Sequence, residues 1–201
     1  MLSNAVCLME NSTLTLKLYG TVQDSIVDGP GLRFSIFVQG CSHHCPGCHN
    51  EASQSYDGGQ ETTLDSLYKQ ICANKLDKGV TFSGGEPFEQ AHACAALAKR
   101  LKNAGYNIWA YTGYLFEDLM AQATKENKNA NACLDLNAAH EFLQYIDVLV
   151  DGPFILQKRS LDLHFCGSSN QRLIDVAASL RAHKIVLWKE SFDFPTKPES
   201  W

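Results

Sequence analysis

The sequence predicts an α/β fold with a sheet of mostly parallel strands, and three observations carry that prediction. Short apolar runs alternate with segments of helical periodicity, the order that builds right-handed βαβ units. One run, RFSIFV (33–38), is nearly all apolar, as a strand covered on both faces must be. The unusual residues follow the predicted strands directly: a cysteine loop, Gly84-Gly85-Glu86-Pro87, Thr112-Gly113-Tyr114 and Gly152-Pro153-Phe154. In open α/β sheets ligands bind at the carboxyl ends of the strands, so that edge is the expected active face.

The elements follow in order. Leu14, Leu16 and Leu18 alternate with polar neighbours and predict a half-buried strand. Ser25 to Gly31 (SIVDGPG) is turn chemistry before the strand at 33–38. In TTLDSLYKQICAN (62–74), Leu64, Leu67, Tyr68 and Ile71 share one helical face, with Thr62 or Thr63 as cap. Gly79 to Ser83 is a strand. Pro87 opens a helix to about Ala104, where Gly105 suits the stop. Strands are expected at 107–111 (NIWAY), 146–151 (IDVLVD) and 184–188 (KIVLW), with helices at 115–122 and 137–145. Lys125 to Ala132 reads as a polar surface loop, and 153–183 carries no clear pattern.

A length of 201 residues argues for a single domain over 14–201 behind a loose extension, 1–13, although two small domains would also fit. Apolar residues make up 45%, enough for a sizeable core. The net charge is −5 and no basic run exceeds two residues, which points away from nucleic acid. No stretch approaches the 18 apolar residues of a membrane span, and Ala5 to Met9 is too short for a secretory signal. Eight cysteines therefore read as free or metal-bound thiols of a reducing cytoplasm.

Cys41, Cys45 and Cys48 stand in QGCSHHCPGCHN. Three thiolates at this spacing can hold three irons of a [4Fe–4S] cluster and leave the fourth open to a ligand, unlike the closed four-cysteine sites of electron carriers. The competing reading is a zinc knuckle with His43, His44 or His49 as fourth ligand, but a second Cys/His pair is missing. Gly47 and Pro46 keep the loop tight, His43 and His44 read as solvated, and the His49 backbone follows the last thiolate. In the Gly84-Gly85-Glu86-Pro87 run, two glycines allow a ligand near the backbone, and a helix start offers amides to a carboxylate. Glu86 could accept from an ammonium; an ordinary turn is the alternative. Asp151 ends an apolar strand, where a carboxylate needs a partner, and its functional and structural readings stand equal. Asn170 and Arg172 suit a carboxylate, a ribose or a docking partner, or else a plain surface loop. Cys72 and Cys94 read as buried small hydrophobes, Cys166 as a spare thiol, and Trp109 and Trp188 as core.

CxxxCxxC followed by GGEP resembles the radical S-adenosylmethionine superfamily. SIVDGPGLRFSIFVQGCSHHCPGCHN is similar to the opening of its glycyl-radical activases. CPGC, YTGY (111–114), DGPF (151–154) and GSSNQR (167–172) resemble the branch acting on anaerobic ribonucleotide reductase. Gly47 before the third cysteine agrees with that branch, and Cys166 stands where it has Arg.

The resemblance implies a partial, open (β/α) barrel carrying one [4Fe–4S] cluster on Cys41, Cys45 and Cys48. It implies S-adenosylmethionine at the open iron, with Gly47, Cys48, His49, Gly84, Gly85, Glu86, Pro87, Thr112 and Asp151 as cofactor contacts. An external one-electron donor such as a flavodoxin would reduce the cluster. The resulting 5′-deoxyadenosyl radical would take a hydrogen from a glycine Cα of the large subunit of an anaerobic ribonucleoside-triphosphate reductase. Alternatives are activation of another glycyl-radical enzyme, a small-molecule radical enzyme such as a 7-deazaguanine-forming synthase, and a zinc-stabilised binding module.

Overall fold

The computed structural model describes residues 14–121 and 133–189. The extension at 1–13 and the whole loop at 125–132 lie outside the described residues. Among the described residues, seven strands form one open sheet: β1 (Thr15–Ser25), β2 (Arg33–Val38), β3 (Gln60–Thr63), β4 (Gly79–Gly84), β5 (Asn107–Tyr111), β6 (Val148–Asp151) and β7 (Arg172–Asp175). Their order is β3-β1-β2-β4-β5-β6-β7. The middle pairings, β2 with β4, β4 with β5 and β5 with β6, are parallel. Both flanks are antiparallel: β3 on β1, β1 on β2, and β7 on β6. The fold is thus a mixed α/β sheet with parallel central strands.

The helices are α1 (Leu64–Ala73), α2 (Ala91–Asn103), α3 (Phe116–Leu119), α4 (Leu136–Leu143) and α5 (Val176–Ala182). Thr63 caps α1 by accepting from the Ser66 amide at 3.3 Å. Asp135 and Asp175 cap α4 and α5 in the same way. Pro87 starts a 3-10 turn, Pro87–Gln90, and α2 follows it. Gly105, at φ +90°, ends the run after α2.

Alternate residues of each central strand face opposite sides. Phe34, Ile36, Val80, Phe82, Ile108, Ala110 and Leu149 join the main core with residues from every helix except α5's outer face. Phe142 of α4 meets Phe82 edge-on, with ring centroids 5.2 Å apart. The opposite face carries Trp109, Val148 and Val150, covered by Phe165 and Trp188. Arg33 is also there, buried, donating to Thr81, Asn107 and the Val80 carbonyl, with its guanidinium 5.4 Å from the Trp109 ring centroid.

Several expectations change, among them the helix expected at 115–122, which is the single turn Phe116–Leu119. The strand β3 pairs with β1 ahead of α1, although QETT has no apolar signal. Residues 184–188 form no strand; they run beside β7 through two backbone bonds, Asp175 N to Val186 O and Trp188 N to Leu173 O. Cys72 is half-buried, whereas Cys94 is fully buried. Among the described residues, no helix is long and apolar enough to cross a membrane.

Candidate metal and cofactor site

The site lies where β2, β4, β5 and β6 end. The loop after β2 leaves the sheet at Gly40 and returns through a 3-10 turn, Glu51–Ser53. Two backbone bonds close its neck, Gly40 N to Ser53 O at 2.8 Å and Cys41 N to Gln54 O at 3.0 Å. The Gln39 side chain donates to the Ala52 and Ser55 carbonyls below it. Pro46 and Gly47 make the turn that joins the last two cysteines, with Gly47 at φ +73° and Cys48 N on Cys45 O at 3.1 Å.

Cys41, Cys45 and Cys48 all line one cavity, together with Gly84, Gly85, Glu86 and Thr112. Cys41 is buried, while Cys45 and Cys48 are half-buried. Burial pushes the Cys41 thiol up to about 12 and raises that of Cys45 as well, with the Glu86 carboxylate adding to both. Such thiols become good thiolates when a metal's positive charge replaces the proton. Among the described residues no three potential ligands gather around one ion-sized point. Three thiols lining one cavity, whose imidazole and carboxylate are bonded to each other, match the three-thiolate set of a [4Fe–4S] cluster better than the four ligands of a structural zinc.

The turn after β4 is built for close backbone approach. A Cβ on Gly85 would fall 2.2 Å from the Gly40 carbonyl oxygen, and one on Gly84 (φ +95°) 2.6 Å from the Phe37 and Val38 backbone. Gly85 N donates to Val38 O at 2.7 Å and Glu86 N to Gly40 O at 2.8 Å. The first of these amides binds the end of β2 and the second the start of the cysteine loop. The two glycines thereby seat one loop on the other. Gly85→Ala is expected to destabilise the metal-free chain by about 3 kcal/mol, because only backbone surrounds the added methyl. A melting temperature within about 2 °C of the unsubstituted chain would contradict this packing.

Glu86 is 1% exposed. Its oxygens accept from four donors: Phe88 N (3.0 Å), Thr112 Oγ1 (2.9 Å), Gly113 N (2.8 Å) and His43 Nε2 (2.9 Å). One carboxylate thus joins the loops after β2, β4 and β5. Glu89, one turn later, accepts from Ser42 N, Ser42 Oγ, Tyr56 OH and Tyr114 OH.

Residues 27–174 match the family described as a 4Fe-4S single cluster domain. The anaerobic ribonucleoside-triphosphate reductase-activating protein of Vibrio cholerae is 34% identical over 155 residues, 73% of this chain and 89% of that one. The proteins of the same name from Escherichia coli K12 and Enterobacteria phage T4 are each 32% identical, covering 73% of this chain and 90% and 86% of theirs. This chain belongs to that family of activating proteins. Among solved structures, QueE of Escherichia coli aligns with a TM-score of 0.45 at 16% identity, covering 53% of this chain and 56% of that one.

Within this activating-protein chain the other expected contacts sit further out. Gly47 packs under Leu156, His49 is exposed, and Pro87 is buried at the start of its turn. Asp151 is fully buried behind the cavity, accepting from Phe116 N at 2.8 Å and from the Arg172 guanidinium. Arg172 also spans to Glu117, and its pairing holds the Glu117 carboxyl below its ordinary range. Asn170 donates to the Pro153 carbonyl at 2.8 Å. Within the cysteine loop, the residue placed differently from its sequence expectation is His43. It is not solvated: its side chain is 17% exposed, and its ring meets Tyr114 edge-on at 4.5 Å. Burial opposes its charged form, but the bond to Glu86 and the attraction of Glu86 and Glu89 outweigh burial and raise its pKa. No local signal announces such a contact, since its partner lies 43 positions along the chain.

Proposed function

We propose that this chain activates an anaerobic ribonucleoside-triphosphate reductase by generating a glycyl radical on its large subunit. The observation that carries the reading is one cavity, at the carboxyl ends of parallel strands, lined by three cysteine thiols and a double-glycine turn. Cys41, Cys45 and Cys48 would each bind one iron of a [4Fe–4S] cluster. When bound, the cluster and S-adenosylmethionine supply reductive cleavage of the sulfonium and a 5′-deoxyadenosyl radical that takes hydrogen from the target glycine.

The chain's own part is placement. Gly84 and Gly85 offer the amino-acid end of the cofactor a surface without side chains. Glu86, whose lone pairs are already engaged, acts by holding Thr112 and Gly113 beside that surface. Asp151 supports the site from behind by anchoring Arg172 between β6 and α3. Gly47 and His49 would shape the outer lip. The helices pack on one face of the sheet, with Arg33, Thr81 and Trp109 on the other, which we read as the wall of an incomplete barrel. Its open side would admit a reductase loop. We place the activity in the cytoplasm, with a flavodoxin-type protein as one-electron donor.

The test is anaerobic reconstitution, reduction and incubation with S-adenosylmethionine, with and without the reductase large subunit. A glycyl-radical doublet in electron paramagnetic resonance together with 5′-deoxyadenosine is expected. A colourless chain holding only zinc, or 5′-deoxyadenosine formation with no radical on the reductase, would remove the reading.

A further inference from the structure

We propose that His43 is a positioning residue: by bonding Glu86 and seating its ring over Gly113, it fixes the cysteine loop against the cofactor platform. The inference rests on the reading that this loop carries the cluster. His43 lies between the first two ligands, Cys41 and Cys45. It is the only one of the four donors to Glu86 that comes from the cysteine loop; the others belong to the turn after β4 and the loop after β5. Without it, Glu86 still joins those two loops but releases the ligand loop.

A second contact points to the same role. A Cβ on Gly113 would fall 2.4 Å from His43 Cδ2 and 2.6 Å from Nε2. The backbone at 113 therefore leaves the volume that the imidazole fills, and Tyr114 flanks the same ring. The glycine in YTGY and the histidine in CSHHC are two halves of one contact. Ser42 strengthens it from the adjacent position through Glu89. The ligand segment is thus clipped twice to the turn after β4, by groups that are not thiols. The iron without a protein thiolate would then stand at a set distance and angle from Gly84 and Gly85. Removing the ring leaves all three thiols in place but loosens that relation.

The experiment uses reconstituted enzyme with His43→Ala, His43→Gln and Gly113→Ala. The Gln amide nitrogen reaches about where the imidazole Nε2 does and can donate to Glu86. Gly113→Ala leaves His43 intact but takes its space. Iron and sulfide are assayed first, and four irons per chain are expected in the unsubstituted protein and in all three variants. S-adenosylmethionine is then titrated at equilibrium, read by the change it causes in the resonance spectrum of the reduced cluster. His43→Ala and Gly113→Ala should bind about 10-fold or more weakly, with a broadened spectrum, as loss of a ligand-orienting contact does. His43→Gln should return to within about 3-fold, with the original line shape.

His43→Ala binding within twofold of the unsubstituted protein, with the spectrum unchanged, would overturn the proposal. So would His43→Gln as weak as His43→Ala, or His43→Ala that cannot retain iron while His43→Gln fails alike. An unsubstituted chain that takes up no four-iron cluster strikes the underlying reading instead, and with it the premise for His43.

Discussion

Cys45→Ala will leave the chain folded and without its four-iron cluster. Cys45 is half-buried at the mouth of the cavity, so the lost side chain is a small part of the core. The metal-free variant should therefore melt within about 2 °C of the unsubstituted chain. Its metal chemistry should not survive. Two thiols of the loop remain, and among the described residues the cavity is lined by no other cysteine: Cys94 is buried within α2, Cys166 packs beside Trp109, and Cys133 lies against the Tyr56 hydroxyl. The one imidazole within the cavity, His43, is engaged with Glu86. Iron and sulfide per chain should fall far below four after anaerobic reconstitution. Formation of 5′-deoxyadenosine should drop by more than the roughly 100-fold that losing an outer-sphere contact brings. A variant with a full complement of iron would disprove the ligand assignment.

Glu86→Ala will unfold more easily and lose cofactor binding together. Truncation leaves four donors around a gap at the cavity wall, with their shared acceptor gone. Removing one side of a buried charged network costs about 3–5 kcal/mol, more than a surface substitution by several-fold. For a chain of this size that corresponds to roughly 6–20 °C in melting temperature. Glu86→Gln keeps the shape but turns an NH2 group toward donors, so it should recover only part of the loss. Thr112→Val removes a single donor and should cost about 1 kcal/mol. Thermal and urea unfolding of the metal-free proteins measures all three. A loss below about 1 kcal/mol for Glu86→Ala would show that the carboxylate does not join the loops.

The middle of the sheet was legible because its signals are local. Arg33 to Val38 and Asn107 to Tyr111 are strands over the spans that their apolar runs predict. The flanks were not. Gln60 to Thr63 becomes a strand because the edge of β1 away from β2, over Thr15 to Leu18, is open to pair with it. Residues 184–188 have the apolar run of a strand, yet they reach β7 only through two backbone bonds and end as an exposed border. In the site, the cysteines and the glycine turn announce themselves by spacing. What the glycines do could not be read: Gly85 makes room for the Gly40 carbonyl, and Gly113 makes room for an imidazole. Both reasons lie in chain crossings that no short window contains. Glu86 looked free for an ammonium because its four donors come from positions 43, 88, 112 and 113.

The half-buried placement of Cys45 and Cys48 has a consequence for the conditions in which such a site can survive. An entrance that lets a protein segment approach is also passable to dioxygen, which is far smaller than any peptide. Among the described residues, only a partial cover lies over these two sulfurs. On the proposed function, a cluster held there would depend on its surroundings for protection from dioxygen.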